Sequence, residues 1–397
     1  MQTFRLTRLE AVISGAGSIR AIGEELDRRS AARAVVITSS SLGKSPLLKQ
    51  VTAALGPRCV GVHAGARQHA PSETVRDMAA LLGRLDADAI VSFGGGSAID
   101  SAKVAAASRI NGRDMTREAG KLDLARAFDA VDGPGLPHIA VPTTLSAGAF
   151  TPGGGTTDEA TRSKGAVLDP RLQPCVVIHD PELCVETPDP LWISTGIRVL
   201  DHAVETIYAK RAHELSNALA VRAIRMIVDH LPRSLGSDAG AIEHRGHCLD
   251  AAWFSLYGSF NTGLGLSHAM GHQIGPAFDV PHGVTSCLAL VPAMRFMADL
   301  APLKFADIAE GLRLPFDPSR ARRDALVCAD AIEAFIARFD VPTTLAQLGV
   351  DADRAAALAR PVLDELTVFD ALDRPATLAE IEALLRVVQS GRISSPA

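Results

Sequence analysis

The 397-residue chain is poor in aromatic residues, which make up 4% of it, and none of its six cysteines lies in a C-x-x-C pair. Scattered cysteines argue against a disulfide framework or a zinc knuckle and favour a reducing compartment. The sequence lacks the roughly 18 consecutive apolar residues of a membrane span, and it begins without the uninterrupted apolar segment of a signal peptide. These absences predict a soluble cytoplasmic protein.

An excess of charge of one sign is also missing. The net charge is −5, with 40 basic and 45 acidic residues mixed along the chain, so no cationic face for nucleic acid or anionic lipid is expected. The partner is therefore predicted to be a small-molecule substrate. With 47% apolar residues and a length that exceeds one ordinary core, the chain is expected to form two domains, 1–187 and 188–397.

The first half alternates short β-branched runs with segments of helical periodicity. Strands that alternate with helices predict a parallel sheet covered on both faces, as in a Rossmann-like NAD(P)-binding domain. The predicted strands are 34–42, 59–63, 89–97, 139–144 and 174–181.

From Pro188 onward the β-runs give way to amphipathic segments such as 217–231 and 322–339, whose apolar residues recur at helical spacing. The second domain is therefore predicted to be helical and to carry the catalytic or metal site. The segment "TPDP" marks the boundary, and we expect a tight joint there with a cleft.

Three consecutive glycines, Gly94, Gly95 and Gly96, follow a β-run and precede a helical segment that starts near Ser97. Glycines let the backbone approach a phosphate closely, and free N–H groups with the positive end of the helix dipole attract its charge. This pattern predicts a pyrophosphate site. The alternative is a plain strand-to-helix turn in which Ser97 caps the helix and Asp100 completes a capping box.

Two other segments are candidate walls of the nucleotide site. Thr143, Thr144 and Ser146 carry hydroxyl groups directly after another predicted strand. Ser39 lies near the position where dinucleotide-binding domains commonly place an acidic residue that holds the ribose 2′-hydroxyl. Because no carboxylate is there to repel a 2′-phosphate, the choice between NAD and NADP stays open.

Four histidines lie in two short segments. His268 and His272 are four residues apart and share one face of a helix, and His282 follows a proline after a turn, where a loop could fold back towards them. Together with His202, these imidazoles can converge in a pattern typical of a zinc or iron centre. Any one of them alone is more often a core or surface residue.

The chain resembles the iron-containing alcohol dehydrogenase family over about residues 10–300 through five segments in this order: "GGGSAIDSAK", "PTTLSAGAF", "HDPEL", "GIRVLDHAVE" and "SHAMGHQIG…VPHG". The resemblance implies the dehydroquinate synthase-like fold of that family, with hydride transfer from a nicotinamide in the cleft between a Rossmann-like and a helical domain. It also implies a homodimer or a larger homo-oligomer. The residues that match the family's nucleotide loops are Gly95, Gly96, Ser97 and Asp100 in the first loop and Thr143, Thr144 and Ser146 in the second.

The resemblance implies further that His202, His268 and His282 match the family's metal-binding histidines. His272 matches a histidine near the nicotinamide that is not usually a ligand. The position of the family's metal-binding aspartate is occupied by Arg198.

This arginine bears on whether Fe or Zn is bound. Three neutral histidines can hold a divalent metal, but charges of +2 and +1 about 5 Å apart repel by ~7 kcal/mol at an effective dielectric constant of ~20. Asp201 is not expected to replace the aspartate, because on a helix it shares a face with Glu205 and not with His202. Metal binding is therefore expected to be weak or absent, unless Arg198 points outward and pairs with one of these acids.

The branch of maleylacetate reductase likewise lacks the aspartate, and residues 69–75 also resemble it. The sequence thus predicts an NAD(P)H-dependent enzyme of aromatic-compound catabolism that reduces a keto or enol carboxylate such as maleylacetate to 3-oxoadipate. Arg198 would bind the developing negative charge, and a proton would come from one of four histidines: His202, His268, His272 or His282.

Three alternatives stay open at this point. The first is a metal-dependent alcohol dehydrogenase in which Fe or Zn polarises the oxygen of a small alcohol or aldehyde. The others are a lyase similar to dehydroquinate synthase and a non-catalytic nucleotide-binding protein.

Overall fold

The structure of the chain, a computed structural model, describes residues 4, 6, 8–119, 130–160, 164–257, 259–263 and 265–391. The chain forms two compact units. One comprises Leu6–Thr187 with Gly236–Asp250, and the other comprises Pro188–Leu235 with the chain from Ala251 onward. The predicted fold class, a Rossmann-like parallel sheet in the first half and a helical second half, is confirmed.

The first unit is built on a six-stranded sheet in which every neighbouring pair of strands is parallel. Its strands are β1 (Ala11–Ser14), β2 (Ala34–Ser39), β3 (Cys59–Ala66), β4 (Ala89–Gly94), β5 (His138–Pro142) and β8 (Val176–His179). They lie in the order β1-β8-β5-β4-β2-β3. A separate antiparallel hairpin consists of β6 (Gly153–Thr157) and β7 (Lys164–Leu168). The helices among these strands are α1 (Ile22–Asp27), α2 (Pro46–Leu55), α3 (Ser72–Arg84), α4 (Gly96–Asn111) and α5 (Met115–Glu118).

The sheet is buried on both faces because alternate residues of a strand enter opposite apolar layers. Val35 and Ile37 of β2 pack in the layer that contains Val75 of α3. Val36, between them in sequence, packs in the opposite layer with Ile22 of α1. The continuous apolar runs of the central strands follow from this double burial.

All five predicted strands are present, although four of the predicted ends extended too far, into the segments that follow β2, β4, β5 and β8. The sequence did not indicate β1 or the hairpin of β6 and β7. β1 has only four residues, and β6 reads "GGGTT", a composition that disfavours strands because glycine has no side chain to pack.

The second unit is helical. Its helices are α6 (Asp189–Tyr208), α7 (Glu214–His230), α8 (Ala239–Leu256), α9 (Ser259–Thr262), α10 (Leu266–Phe278), α11 (His282–Leu300), α12 (Phe305–Leu312), α13 (Ala321–Ile336), α14 (Ala352–Ala356), α15 (Ala359–Phe369) and α16 (Leu378–Ser390). α11 packs against both α6 and α10, and α10 also packs against α15. These four helices carry the candidate site residues of this unit.

The segment Gly236–Asp250, which includes the first part of α8, groups with the sheet. Asp250 Oδ1 accepts a hydrogen bond from Ser14 Oγ at 2.7 Å and lies 3.0 Å from His179 Nδ1. Arg245 Nη1 donates to the carbonyl oxygen of Cys184 at 2.7 Å. The predicted boundary between 1–187 and 188–397 does not take this segment into account.

One helix among the described residues, α11, has the length and mean hydropathy of a membrane span, judged by composition alone. The sequence analysis did not anticipate this. In the apolar window of α11, 61% is buried inside the protein, and the core helix of a protein without membrane spans meets the same criterion. Within the described part of the chain, no two cysteines form a disulfide.

His138 is a buried titratable residue of the sheet. Its Nε2 lies 2.7 Å from Ser92 Oγ of β4, and burial, with the charge of Lys103 nearby, lowers its pKa from 6.5 to about 3. Between these values the unfolded chain binds more protons than the folded protein. The stability that depends on neutral His138 is therefore present above pH 6.5 and is lost as the pH falls towards 3.

We expect the double variant Ser92→Ala/His138→Leu to lose stability less steeply on acidification than the unchanged protein. The difference should approach about 1.4 kcal/mol per pH unit in the free energy of unfolding below pH 6.5. Urea unfolding at several pH values between 7.5 and 5 measures it. Removing both partners avoids leaving the Ser92 hydroxyl buried without an acceptor. Equal pH slopes for the two proteins would contradict the assignment.

Candidate active site

The glycine loop, Gly94–Ser97, connects β4 to α4 in the first unit. Gly94 has a φ of +149°, which side chains rarely adopt, and α4 begins at Gly96 with Gly95 as its N-cap. Ser97 therefore lies inside the first turn and is not the cap, so the alternative of a turn capped by Ser97 is wrong. The loop instead leaves the first N–H groups of a 16-residue helix without a side-chain cap, as an anion site requires.

The hydroxyl loop, Thr143–Ser146, packs directly against the glycine loop. A Cβ on Gly95 would lie 3.1 Å from Thr144 Cγ2, and a Cβ on Gly96 would lie 3.0 Å from Ser146 Oγ. Among the described residues, Thr144 Oγ1 and Ser146 Oγ are buried without a hydrogen-bond partner. Two unsatisfied hydroxyls beside a helix N-terminus form a cradle suited to phosphate oxygens, which accept such hydrogen bonds.

Lys103 of α4 holds the chain beyond the hydroxyl loop in place, a role that the sequence analysis missed. Its Nζ donates to the carbonyl oxygens of Gly148, Thr151 and Gly153 at 2.6, 2.8 and 2.8 Å. Burial lowers the pKa of Lys103 to about 8. The only sequence signal was its place in "GGGSAIDSAK", in which Asp100 lies in the first turns of the same helix.

Ser39, the candidate residue near the nucleotide ribose, is the last residue of β2. Its Oγ lies 2.9 Å from Ser41 Oγ and accepts a hydrogen bond from the N–H of Leu42 at 3.3 Å. The chain has no carboxylate between residues 28 and 72, so this turn offers hydroxyl groups only.

Gly96→Ala tests whether the glycine loop holds a dinucleotide. The added Cβ would press on Ser146 and separate the two loops, so we expect ~10-fold weaker binding of NADH and NADPH, or about 1.4 kcal/mol. Gly83→Ala is the matched control, because its Cβ would meet nothing nearer than Arg109 Cδ at 3.9 Å. Fluorescence titration measures both affinities. Equal binding by the two variants would separate the glycine loop from the nucleotide.

The second unit brings the four predicted histidines together. We call them the histidine cluster, which consists of His202, His268, His272 and His282. The rings of His202 and His268 stack with centroids 4.9 Å apart. The rings of His272 and His282 stack at 5.6 Å. His268 meets His272 and His282 edge-on at 6.0 and 6.5 Å. Predicted helical spacing explains the pair on α10, and α11 supplies His282 at its first residue.

Arg198 points into the histidine cluster and not outward, so the outward alternative is wrong. Only 3% of its side chain is exposed. Its Nη2 contacts His282 Nε2, and its Nη1 donates to Ser286 Oγ at 2.9 Å. Asp201 Oδ2 lies 3.8 Å from the same Nη1. The guanidinium is thus a buried cation, and the Asp201 carboxylate lies near the upper limit of ion-pair distance from it.

Asp201 and Glu205 share one face of α6, as predicted, and both are buried. Asp201 Oδ2 accepts hydrogen bonds from Ser267 Oγ at 3.0 Å and Ser286 Oγ at 2.6 Å. The role of these two serines was not indicated by the sequence.

Glu205 caps the start of α10. Its carboxylate accepts the N–H groups of Gly265 at 3.1 Å and Ser267 at 2.6 Å, and it lies 2.5 Å from His268 Nδ1. A Cβ at position 265 would lie 2.7 Å from Glu205 Oε1, which explains the glycine. In its ionised form, which the two backbone N–H groups stabilise, this carboxylate only accepts, and His268 then carries its proton on Nδ1.

Burial is the largest influence on the charged groups of this site. It lowers the pKa of Arg198, against the opposing charges of Asp201 and Glu205, and it raises the pKa values of both acids. It also lowers the pKa values of His202 and His268 far below the usual value, and Arg198 adds to this effect. His202 and His268 are therefore neutral imidazoles in the cluster that contains the guanidinium of Arg198.

The arrangement of these residues does not fit a divalent metal. Asp201, Glu205 and His268 offer ligand atoms within 4.8 Å of one another. Both carboxylates, however, already accept hydrogen bonds from hydroxyl or backbone groups, and the Nδ1 of His268 is a donor. Among the three histidines that match the family's ligands, Nε2 of His282 faces the guanidinium of Arg198. A second cation would meet direct repulsion there.

Glu365 of α15 contacts the histidine cluster from outside the predicted motifs. Its Oε1 lies 2.5 Å from His272 Nδ1, and its Oε2 accepts a hydrogen bond from Gln273 Nε2 at 2.8 Å. No sequence signal identified it, because it lies 93 residues beyond His272 in an ordinary amphipathic helix.

Comparison with known proteins covers both units. Residues 10–181 match the family described as "Iron-containing alcohol dehydrogenase", and residues 192–388 match "Fe-containing alcohol dehydrogenase family, C-terminal". The chain is 28% identical over 379 residues to the NAD-dependent methanol dehydrogenase of Bacillus methanolicus, covering 95% of this chain and 97% of that protein. It is 30% identical over 293 residues to the maleylacetate reductase of Sphingobium indicum, covering 73% and 74%. The solved structure of an alcohol dehydrogenase from Oenococcus oeni is similar with a TM-score of 0.89 at 26% identity, covering 98% of this chain and all of that one.

Proposed function

Since the chain belongs to the iron-containing alcohol dehydrogenase family, whose members are NAD(P)-dependent oxidoreductases, we propose that it reduces a keto or enol carboxylate such as maleylacetate. When bound, NAD(P)H would supply a hydride to the carbon–carbon double bond conjugated with the ketone of maleylacetate, which would leave negative charge on the ketone oxygen. A proton then restores the ketone and gives 3-oxoadipate and NAD(P)⁺. The dinucleotide is held by the glycine loop and the hydroxyl loop.

The observation that supports this proposal is the buried guanidinium of Arg198 in the histidine cluster. Hydride addition to an enone places negative charge on an oxygen, and a fixed cation in a water-poor site stabilises that charge in the transition state. The planar fork of arginine also suits a substrate carboxylate. The positive charge that a metal supplies elsewhere in the family thus comes here from a side chain.

The second candidate is a metal-dependent alcohol dehydrogenase acting on a small alcohol or aldehyde. It is favoured by the three histidines that match the family's ligands and by the methanol dehydrogenase among the relatives. We propose the metal-independent reaction in preference because Nε2 of His282 faces Arg198. A cytoplasmic location and a homo-oligomer stay predictions.

Chelation distinguishes the two candidates. We expect initial rates of NADH and NADPH oxidation with maleylacetate to be unchanged after exhaustive chelation, because no step requires a metal. Elemental analysis of the purified protein should find far less than one equivalent of Fe or Zn. A rate that disappears on chelation and returns with Fe²⁺ or Zn²⁺ would establish the metal-dependent candidate instead.

Arg198→Asp is the positive control for this experiment, because it restores the family's aspartate and removes the repelling charge. Calorimetric titration with Zn²⁺ should show tighter binding to this variant than to the unchanged protein. Equal affinities would mean that Arg198 does not determine metal binding.

Removal of the guanidinium tests its catalytic role. Arg198→Met alone leaves Asp201 buried without its cation, which can cost ~3–5 kcal/mol of stability, so we pair it with Asp201→Asn. We expect kcat/KM for maleylacetate to fall by ~100-fold or more in Arg198→Met/Asp201→Asn. Asp201→Asn alone keeps the guanidinium but leaves it without its carboxylate, so we expect it to lose stability while its kcat/KM falls much less than that of the double variant. Thermal unfolding checks that both variants are folded, and an unchanged kcat/KM in the double variant would remove Arg198 from the mechanism.

A further inference from the structure

We infer that Glu365 is a positioning residue that fixes the tautomer and the ring orientation of His272, so that Nε2 of His272 is the nitrogen presented to the substrate. This inference rests on the proposed function for its catalytic consequence, because it makes His272 the histidine through which the proton is exchanged. The contact between Glu365 and His272 itself does not depend on the proposed function, because it is given by the distance between the two side chains.

Both oxygens of the Glu365 carboxylate are used, one for each of two neighbouring residues of α10. Oε1 lies 2.5 Å from His272 Nδ1, and Oε2 accepts from Gln273 Nε2 at 2.8 Å. The amide of Gln273 prevents rotation of the carboxylate away from the imidazole. Glu365 thus approaches His272 in one fixed geometry, from a helix that packs along α10.

This contact determines which nitrogen of His272 carries the proton. An ionised carboxylate cannot donate, so the 2.5 Å contact places the proton on Nδ1 and leaves Nε2 as the second nitrogen. The ring is held further by its parallel stacking on His282, at an interplanar angle of 10°. A carboxylate that accepts from one nitrogen of an imidazole in this way selects the tautomer of the ring.

The other members of the cluster are less suited to proton exchange. His202 and His268 are only 4% and 2% exposed, and Nδ1 of His268 is bound to Glu205. His282 directs Nε2 at Arg198. The side chain of His272 is 27% exposed, so it can pass a proton between solvent and the buried site.

Two variants of Glu365 test the inference. Glu365→Gln keeps an oxygen that can accept from Nδ1, whereas Glu365→Leu keeps neither acceptor nor charge. We expect kcat with maleylacetate to fall about 10- to 100-fold in Glu365→Leu and less in Glu365→Gln, with KM for NAD(P)H unchanged in both. Asp364→Asn is the matched control, because Asp364 is exposed and pairs only loosely with Arg360, at 3.6 Å. It should retain full kcat.

Nuclear magnetic resonance gives a readout that does not depend on activity. In protein labelled with ¹⁵N-histidine, the imidazole signals of His272, assigned by their loss in His272→Asn, should show the proton on Nδ1. In Glu365→Leu they should show a mixture of tautomers. A changed tautomer supports the inference even if maleylacetate is not the substrate, in which case only the proposed function fails. An unchanged tautomer in a folded Glu365→Leu protein overturns it, as does an unchanged kcat in a protein that reduces maleylacetate.

Discussion

The hydrogen bonds of one buried carboxylate, that of Glu205, determine where the histidine cluster can form. By accepting the N–H groups of Gly265 and Ser267, Glu205 fixes the first turn of α10 relative to α6. A helix start that is buried needs acceptors of this kind, since its first N–H groups have no partner within the helix. The same carboxylate orients His268, and His272 follows one turn later on the same face.

Arg198 introduces a second constraint, because a cation is buried beside neutral rings. Such a charge is tolerated only where hydrogen bonds and an opposite charge replace water. Ser286 supplies a hydrogen bond and Asp201 the opposite charge: the Ser286 hydroxyl accepts from Arg198 and donates to Asp201, so it links the two charges through one atom. The position of the guanidinium therefore depends on residues of two helices, α6 and α11.

The sequence carried enough information for five of the six strands of the sheet and for the grouping of the histidines, because double burial leaves continuous apolar runs and helical spacing leaves a periodic pattern. It could not show the direction in which Arg198 points, since a residue on a buried helix has neighbours on several sides. The alternative in which Ser97 caps α4 could not be excluded from the sequence because a serine after glycines fits a cap equally well, and only the start of α4 at Gly96 decides the matter. The contact of Glu365 with His272 could not be predicted for another reason: two residues 93 positions apart leave no local pattern in the sequence.

The cradle between the glycine loop and the hydroxyl loop has a consequence for the energetics of folding. Its two halves are about 50 residues apart in sequence and meet only when β4 pairs with β5, as in the hydrogen bond from the N–H of Thr143 to the carbonyl oxygen of Gly94. An unfolded chain therefore contains no version of this cradle. A ligand held there binds the folded protein alone, and it raises the free energy of unfolding by RT ln(1 + [L]/Kd), or about 2.7 kcal/mol at a hundredfold excess over Kd. The concentration of the ligand would then set the temperature at which the sheet unfolds.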